Sequence, residues 1–134
     1  MNITEDYCSF EVSKLLKEKG FNEKCRGGYH SEFDDNDSPI VMLEEWMAQP
    51  YNNDFVDEGF LCSAPTHQMA MDWLREAHNI SIEPFVDYGS GDDYWWTVDI
   101  SKIKKNGLIT ELSGYKSYKE AVEAALKYAL ENLI

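Results

Sequence analysis

The sequence predicts an α+β fold, a small single domain in which an antiparallel sheet of three strands, or slightly more, carries packed helices. Three observations predict it. The chain has 134 residues, near the commonest domain size, so one core is expected. Apolar residues alternate with period two on both sides of a glycine-containing turn at 89–92, the mark of a half-buried hairpin. Outside that hairpin the apolar period becomes helical, and residues 64–134 read as helix, strand, strand, strand, helix.

The first helix is set by its ends. Ser9 is placed to cap it, Glu11 suits its first turn, and Val12, Leu15 and Leu16 share one face. Lys17 and Lys19 fall in the last turn, Gly20 stops the helix, and Phe21 is positioned for an apolar contact beyond it. Thr4 is a second candidate cap, and a helix starting there puts Cys8 on the buried face.

Residues 22–63 read as an irregular acidic segment. Gly27, Gly28 and the stretch Glu32 to Asp37 have the composition of turns and loops. Ser38 and Pro39 can open a short helix running to Met47, whereas Ile40, Val41, Leu43 and Trp46 equally suit a strand, and both readings stand. Pro50 to Asp54 is a turn cluster.

From residue 64 onward the pattern is clearer. Thr66 caps a helix from about His67 to His78, with Ala70, Trp73, Leu74 and Ala77 as its stripe. A strand runs from Ile80 to Asp87, Gly89 to Asp92 turns the chain, and Asp93 to Ile100 returns. Alternation puts Ile80, Ile82, Val86, Tyr94, Trp96, Val98 and Ile100 toward the core and leaves Phe85 and Trp95 on the opposite side. Pro84 suits an edge strand or a bulge. Asn106-Gly107 turns into a third strand, Leu108 to Leu112. Ser117 and Glu120 form a capping box ahead of the stripe Val122, Ala125, Leu126, Ala129, Leu130 and Leu133.

The charge is strongly acidic, 12 Lys plus Arg against 25 Asp plus Glu, net −13. No Lys or Arg lies between Arg26 and Arg75, an interval that holds Glu32, Asp34, Asp35, Asp37, Glu44, Glu45, Asp54, Asp57, Glu58 and Asp72. Binding to nucleic-acid phosphates or to anionic lipid needs clustered cations, so neither nucleic acid nor membrane is expected as a partner. No apolar run approaches the ~20 residues of a membrane span, and no secretory leader pattern opens the sequence. The acids either form a solvated surface or dock on a basic protein partner. The candidate interaction surface is Asp34, Asp35, Asp37, Glu44 and Glu45, together with Phe85 and Trp95. That aromatic pair is expected to be covered by the middle segment, with a partner contact as the alternative.

Three cysteines, Cys8, Cys25 and Cys62, suit reduced thiols in a cytoplasm better than a disulfide framework. Cys25-x4-His30 and Cys62-x4-His67 offer an alternative, a small zinc-stabilised domain, although neither pair has the tight spacing of a zinc knuckle. A third reading, an enzyme with a cleft near Cys62 and His67 as base, needs an electropositive setting, whereas the flanking charges are acidic. Asp34 to Asp37 lacks the glycine and terminal Glu of a calcium loop, and Gly89-x-Gly91 is not a dinucleotide fingerprint. No catalytic or cofactor-binding residue is assigned, and no cofactor is expected.

Three stretches carry a resemblance: Glu11-Val12-Ser13-Lys14-Leu15-Leu16-Lys17-Glu18-Lys19-Gly20-Phe21, Ala64-Pro65-Thr66 leading into Trp73-Leu74-Arg75-Glu76, and Tyr115-Lys116-Ser117-Tyr118-Lys119-Glu120-Ala121. On these the chain resembles a family of small proteins, without an assigned activity, encoded in gut anaerobic bacteria and their prophages or mobile elements. The resemblance covers both ends and most of the second half. It implies an accessory protein of a phage or mobile element working in a bacterial cytoplasm, and it carries over no site residues.

Overall fold

In the computed structural model, which describes residues 5–30, 40–42, 52–53, 59–105 and 107–134, Ser9 starts the first helix by accepting a hydrogen bond from the Val12 N–H at 3.2 Å. This helix, α1, spans Phe10–Glu18. It ends where Gly20 takes a φ of +97°, open to glycine at little cost. Gly20 N–H then reaches Lys17 O at 3.1 Å and Phe21 N–H reaches Leu16 O at 2.9 Å, the two bonds of a Schellman motif. The buried face is Phe10, Val12, Ser13 and Leu16, so Ser13 takes the place expected of Leu15. Ahead of Phe10 the described chain is extended rather than helical: Tyr7 pairs with Thr66, and Cys8 N–H donates to Pro65 O at 2.9 Å.

The chain divides at His67 and Gln68 into two compact units. In the first, the segment expected to be irregular contains three strands, β1 (Gly27–His30), β2 (Val41–Met42) and β3 (Phe60–Ser63), in the antiparallel order β2-β1-β3. Gly27 and Gly28, read as turn residues, lie inside β1 opposite Met42 and Val41. Their role is close approach: a Cβ on Gly27 would stand 2.7 Å from Ile40 Cγ2 and 2.9 Å from Met42 Sδ. Phe10, Tyr29, Cys62 and Ala64 form one buried cluster of this unit, with the Phe10 and Tyr29 rings edge to face at 5.3 Å. Tyr29 Oη donates to Cys8 O at 2.5 Å, and Ser13 Oγ donates to the same carbonyl at 3.5 Å. Asn53 ties the helix end to the sheet, its Nδ2 donating to Phe21 O at 2.7 Å while its Oδ1 accepts from Ser63 N–H at 3.0 Å.

Helix α2 (His67–His78) crosses the division and stops at Asn79, held at φ +56° in the left-handed region that Asn tolerates. Ala70, Met71 and Leu74 are buried, whereas Ala77, expected on the same stripe, is exposed. Strands β4 (Ile80–Tyr88), β5 (Tyr94–Lys102) and β6 (Gly107–Tyr115) follow as a second antiparallel sheet, in the order β4-β5-β6. Ile82 pairs with Ile100, Pro84 with Val98 and Val86 with Trp96, so the proline sits on an edge strand as expected. Tyr94, expected to face the core, is exposed at the hairpin tip opposite Tyr88. It lies two pairs beyond Trp96, whose ring already meets Tyr118 at the start of the last helix, 5.4 Å between centroids.

That helix, α3 (Tyr118–Asn132), is capped by Ser117 as expected, while Glu120 reaches back one residue beyond the cap rather than to the Ser117 N–H of a regular capping box. Ser117 Oγ accepts from Glu120 N–H at 3.1 Å, and Glu120 Oε2 accepts from Lys116 N–H at 3.0 Å. Ala121, Val122, Ala125, Leu126, Ala129 and Leu130 are fully buried, and α3 packs on all three strands of the second sheet. The α+β class is therefore observed. No helix among the described residues is long and apolar enough to cross a membrane.

Candidate interaction face

The face of the second sheet opposite α3 is built by strand alternation and by two irregularities in β6. Direct pairing across the strands sets Glu83 opposite Asp99 and Asp99 opposite Glu111. One row toward the tip, Phe85 pairs with Thr97 and Thr97 with Ser113, and beyond them Asp87 pairs with Trp95. One row in the other direction, Ser81 pairs with Ser101 and Ser101 with Leu108. Side chains directly opposite on neighbouring strands stand about 5 Å apart at Cβ, so three carboxylates form a continuous row. Between Arg75 and Lys102 there is no Lys or Arg. None of Glu83, Asp87, Asp99 and Glu111 makes a salt bridge with a described residue.

The acids are instead met by neighbouring hydroxyls. Ser81 Oγ donates to Glu83 Oε1 at 3.0 Å. Thr97 Oγ1 donates to Asp87 Oδ2 at 2.7 Å and stands 2.8 Å from Ser113 Oγ, so Ser113 is the donor of that second bond. A hydrogen bond to Asp99, reinforced by desolvation and by the charges of Asp99 and Asp87, raises the Glu111 pKa above its ordinary 4.5. Asp99 Oδ1 is shielded and accepts no hydrogen bond from a described residue.

The β6 irregularities shape the face. Ile100 pairs with Thr110 but Ser101 with Leu108, which makes Ile109 an extra residue and turns Leu108 away from α3. Leu108 is 60% exposed as a result. Gly114, with φ +93°, is the second extra residue, between Ser113 and Tyr115. Alternation over 108–112 misses both bulges, because a bulge leaves no mark on the apolar pattern of its own strand.

Of the surface residues expected from the sequence, Phe85 and Trp95 lie on this face, both half-buried. The Trp95 ring lies against its own hairpin turn, where a Cβ on Gly89 would meet Trp95 Cζ3 at 3.0 Å. Asp34, Asp35, Asp37, Glu44 and Glu45 lie outside the described residues. Glu83, Asp87, Asp99 and Glu111 were not singled out, although period-two alternation from Phe85 and Trp95 already assigns the first three to the same side.

The Cys and His pairs occupy the first unit. Cys25 is buried two residues before β1, its thiol donating to Glu23 O at 3.4 Å. His30 ends β1 with its ring edge-on to Phe60 at 5.1 Å. Cys62 pairs with Tyr29 in the sheet, and His67 is buried at the start of α2. Among the described residues, no three of Cys25, His30, Cys62 and His67 bring ligand atoms within 4.8 Å of one another. His67 lies instead near Cys8, with Sγ and a ring nitrogen inside that distance. Burial pushes the Cys25 and Cys62 thiols up to about 11. At Cys62 the neighbouring charges are Lys17 and Lys14, which lower the value, so desolvation and not the acidic flanks opposes the thiolate. A thiol so protonated is poor both as nucleophile and as metal ligand.

The fold and this face define an α+β chain whose second sheet carries helix on one side and carboxylates with hydroxyls on the other. No protein-family model, no curated protein and no solved structure matches the chain.

Proposed function

We propose that the chain is a non-enzymatic interaction module that engages a basic protein through its acidic surface, as an accessory protein of a phage or mobile element in a bacterial cytoplasm. The observation that carries this reading is the row Glu83, Asp99 and Glu111, set directly opposite one another, none of which makes a salt bridge with a described residue. Like charges directly opposite destabilise a sheet, and such local costs are retained where a surface has work to do. The net charge of −13 speeds encounter with a basic partner and disfavours an acidic one. The test is titration with an alternating arginine–glycine peptide. Binding is expected to be roughly tenfold weaker at 0.3 M than at 0.05 M NaCl, because the Debye length shortens over that range. Absence of binding at the lower salt, or binding indifferent to salt, would overturn the reading.

A further inference from the structure

The side of the second sheet that carries α3 extends into an aromatic shelf at the β4–β5 hairpin tip. Val86 pairs with Trp96 and Trp96 with Tyr115, and two pairs further along the hairpin Tyr88 faces Tyr94 on the same side. The Trp96 ring meets Tyr118 in the first turn of α3, so the shelf continues onto the helix. Trp96 is half-buried, whereas Tyr88 is 79%, Tyr94 62% and Tyr118 40% exposed. Among the described residues, Tyr88 and Tyr94 are the two most exposed large hydrophobic side chains. Large aromatic rings left open together mark contact surfaces.

The charges around the shelf say what covers it. Asp92 and Asp93 are exposed in the turn at one end, and Lys116 and Lys119 are exposed at the other, on either side of Tyr118. Glu120, next to Lys119, is engaged with the Lys116 N–H. Among the described residues, none of Asp92, Asp93, Lys116 and Lys119 is in a salt bridge. A partner of one charge sign would meet its own sign at one end of the shelf. A second copy turned about a two-fold axis meets the opposite sign at both ends, because such an interface lays a patch on its own counterpart in reverse. We propose that the shelf is the interface of a homodimer, with Tyr88, Tyr94 and Tyr118 packed across the two-fold axis and the Asp92–Asp93 end of each copy facing the Lys116–Lys119 end of the other. Tyrosine suits such a contact, since it buries a large ring at low entropic cost and keeps a hydroxyl for the wet rim. The acidic row Glu83, Asp99 and Glu111 lies on the opposite side of the sheet, so the dimer leaves it open and presents it twice.

The experiment is sedimentation equilibrium of the full chain at about 0.15 M NaCl, where a Debye length of about 8 Å screens most of the repulsion between two copies of net charge −13. A monomer–dimer equilibrium is expected between about 10 μM and about 1 mM protein, the range of a contact of modest affinity. Tyr94→Ser should weaken it roughly tenfold, as loss of a central interface tyrosine does. Asp92→Lys and Lys119→Glu should each weaken self-association, and an equimolar mixture of the two variants should restore it, because both end contacts then join opposite charges again. Lys119→Glu falls in the first turn of α3, where an acid suits the helix dipole, and recovery on mixing separates the pairing from any damage to the fold. A strict monomer across the range, indifference to Tyr94→Ser, or a mixture no stronger than its components overturns the proposal. A monomer that takes the arginine–glycine peptide on these tyrosines overturns it too, and gives the shelf to the basic partner.

Discussion

Gly20 holds a φ of +97° with open space where a Cβ would stand, so the cost of Gly20→Ala is the backbone alone. Loss of about 1 kcal/mol is expected, read as a lower urea midpoint at unchanged slope. Glu111 illustrates the opposite case, a residue whose own charge is the liability. Its folded pKa lies above the ordinary 4.5, so its contribution favours folding below 4.5 and is lost as pH rises through the folded value. Glu111→Gln is therefore expected to raise the Tm at pH 7 and to change it little at pH 4. The thiols follow the same sign in another window. Cys25 and Cys62 ionise near 9.0 when unfolded and at about 11 when folded, so stability declines as pH rises between those values. Below that window the folded thiolate fraction is about a hundredfold lower, and native Cys25 and Cys62 should resist a disulfide reagent until urea unfolds the protein. The cap and the glycine stop were legible, because each needs only its neighbours in sequence. The carboxylate row was not, since charge repulsion across three strands exists only once register is set.

At the scale of elements, α3 is the part most fully written in local sequence. Ser117→Ala is expected to cost about 1 kcal/mol and to speed hydrogen exchange in the first turn, whereas Leu126→Ala should cost about 3 kcal/mol. Circular dichroism melts of the two variants separate the cap from the stripe. The β4–β5 hairpin was equally readable, its strands and turn emerging from alternation around Gly89 to Asp92. The first sheet was hidden for a definite reason. Gly27 and Gly28 carry turn composition, but Gly27 is small because Ile40 and Met42 press on the position its Cβ would take. A glycine chosen for proximity and one chosen for φ look identical until its neighbours are known. The outward turn of Leu108 was hidden likewise, because the extra residue Ile109 is itself apolar and fits the strand pattern. The candidate face was thus half legible: Phe85 and Trp95 were placed on it by alternation, and Leu108 depends on a bulge.

At the scale of the molecule, the two compact units partition the chromophores and the nucleophiles. Cys8, Cys25 and Cys62 all precede the division at His67 and Gln68, whereas Trp73, Trp95 and Trp96 follow it. Only Trp46 breaks the separation, and Trp46→Phe removes it. In that variant a single denaturant series yields two independent clocks: thiol labelling times the opening of the first half, and indole fluorescence times the second. The pair of signals reports whether the two halves come apart together or in turn.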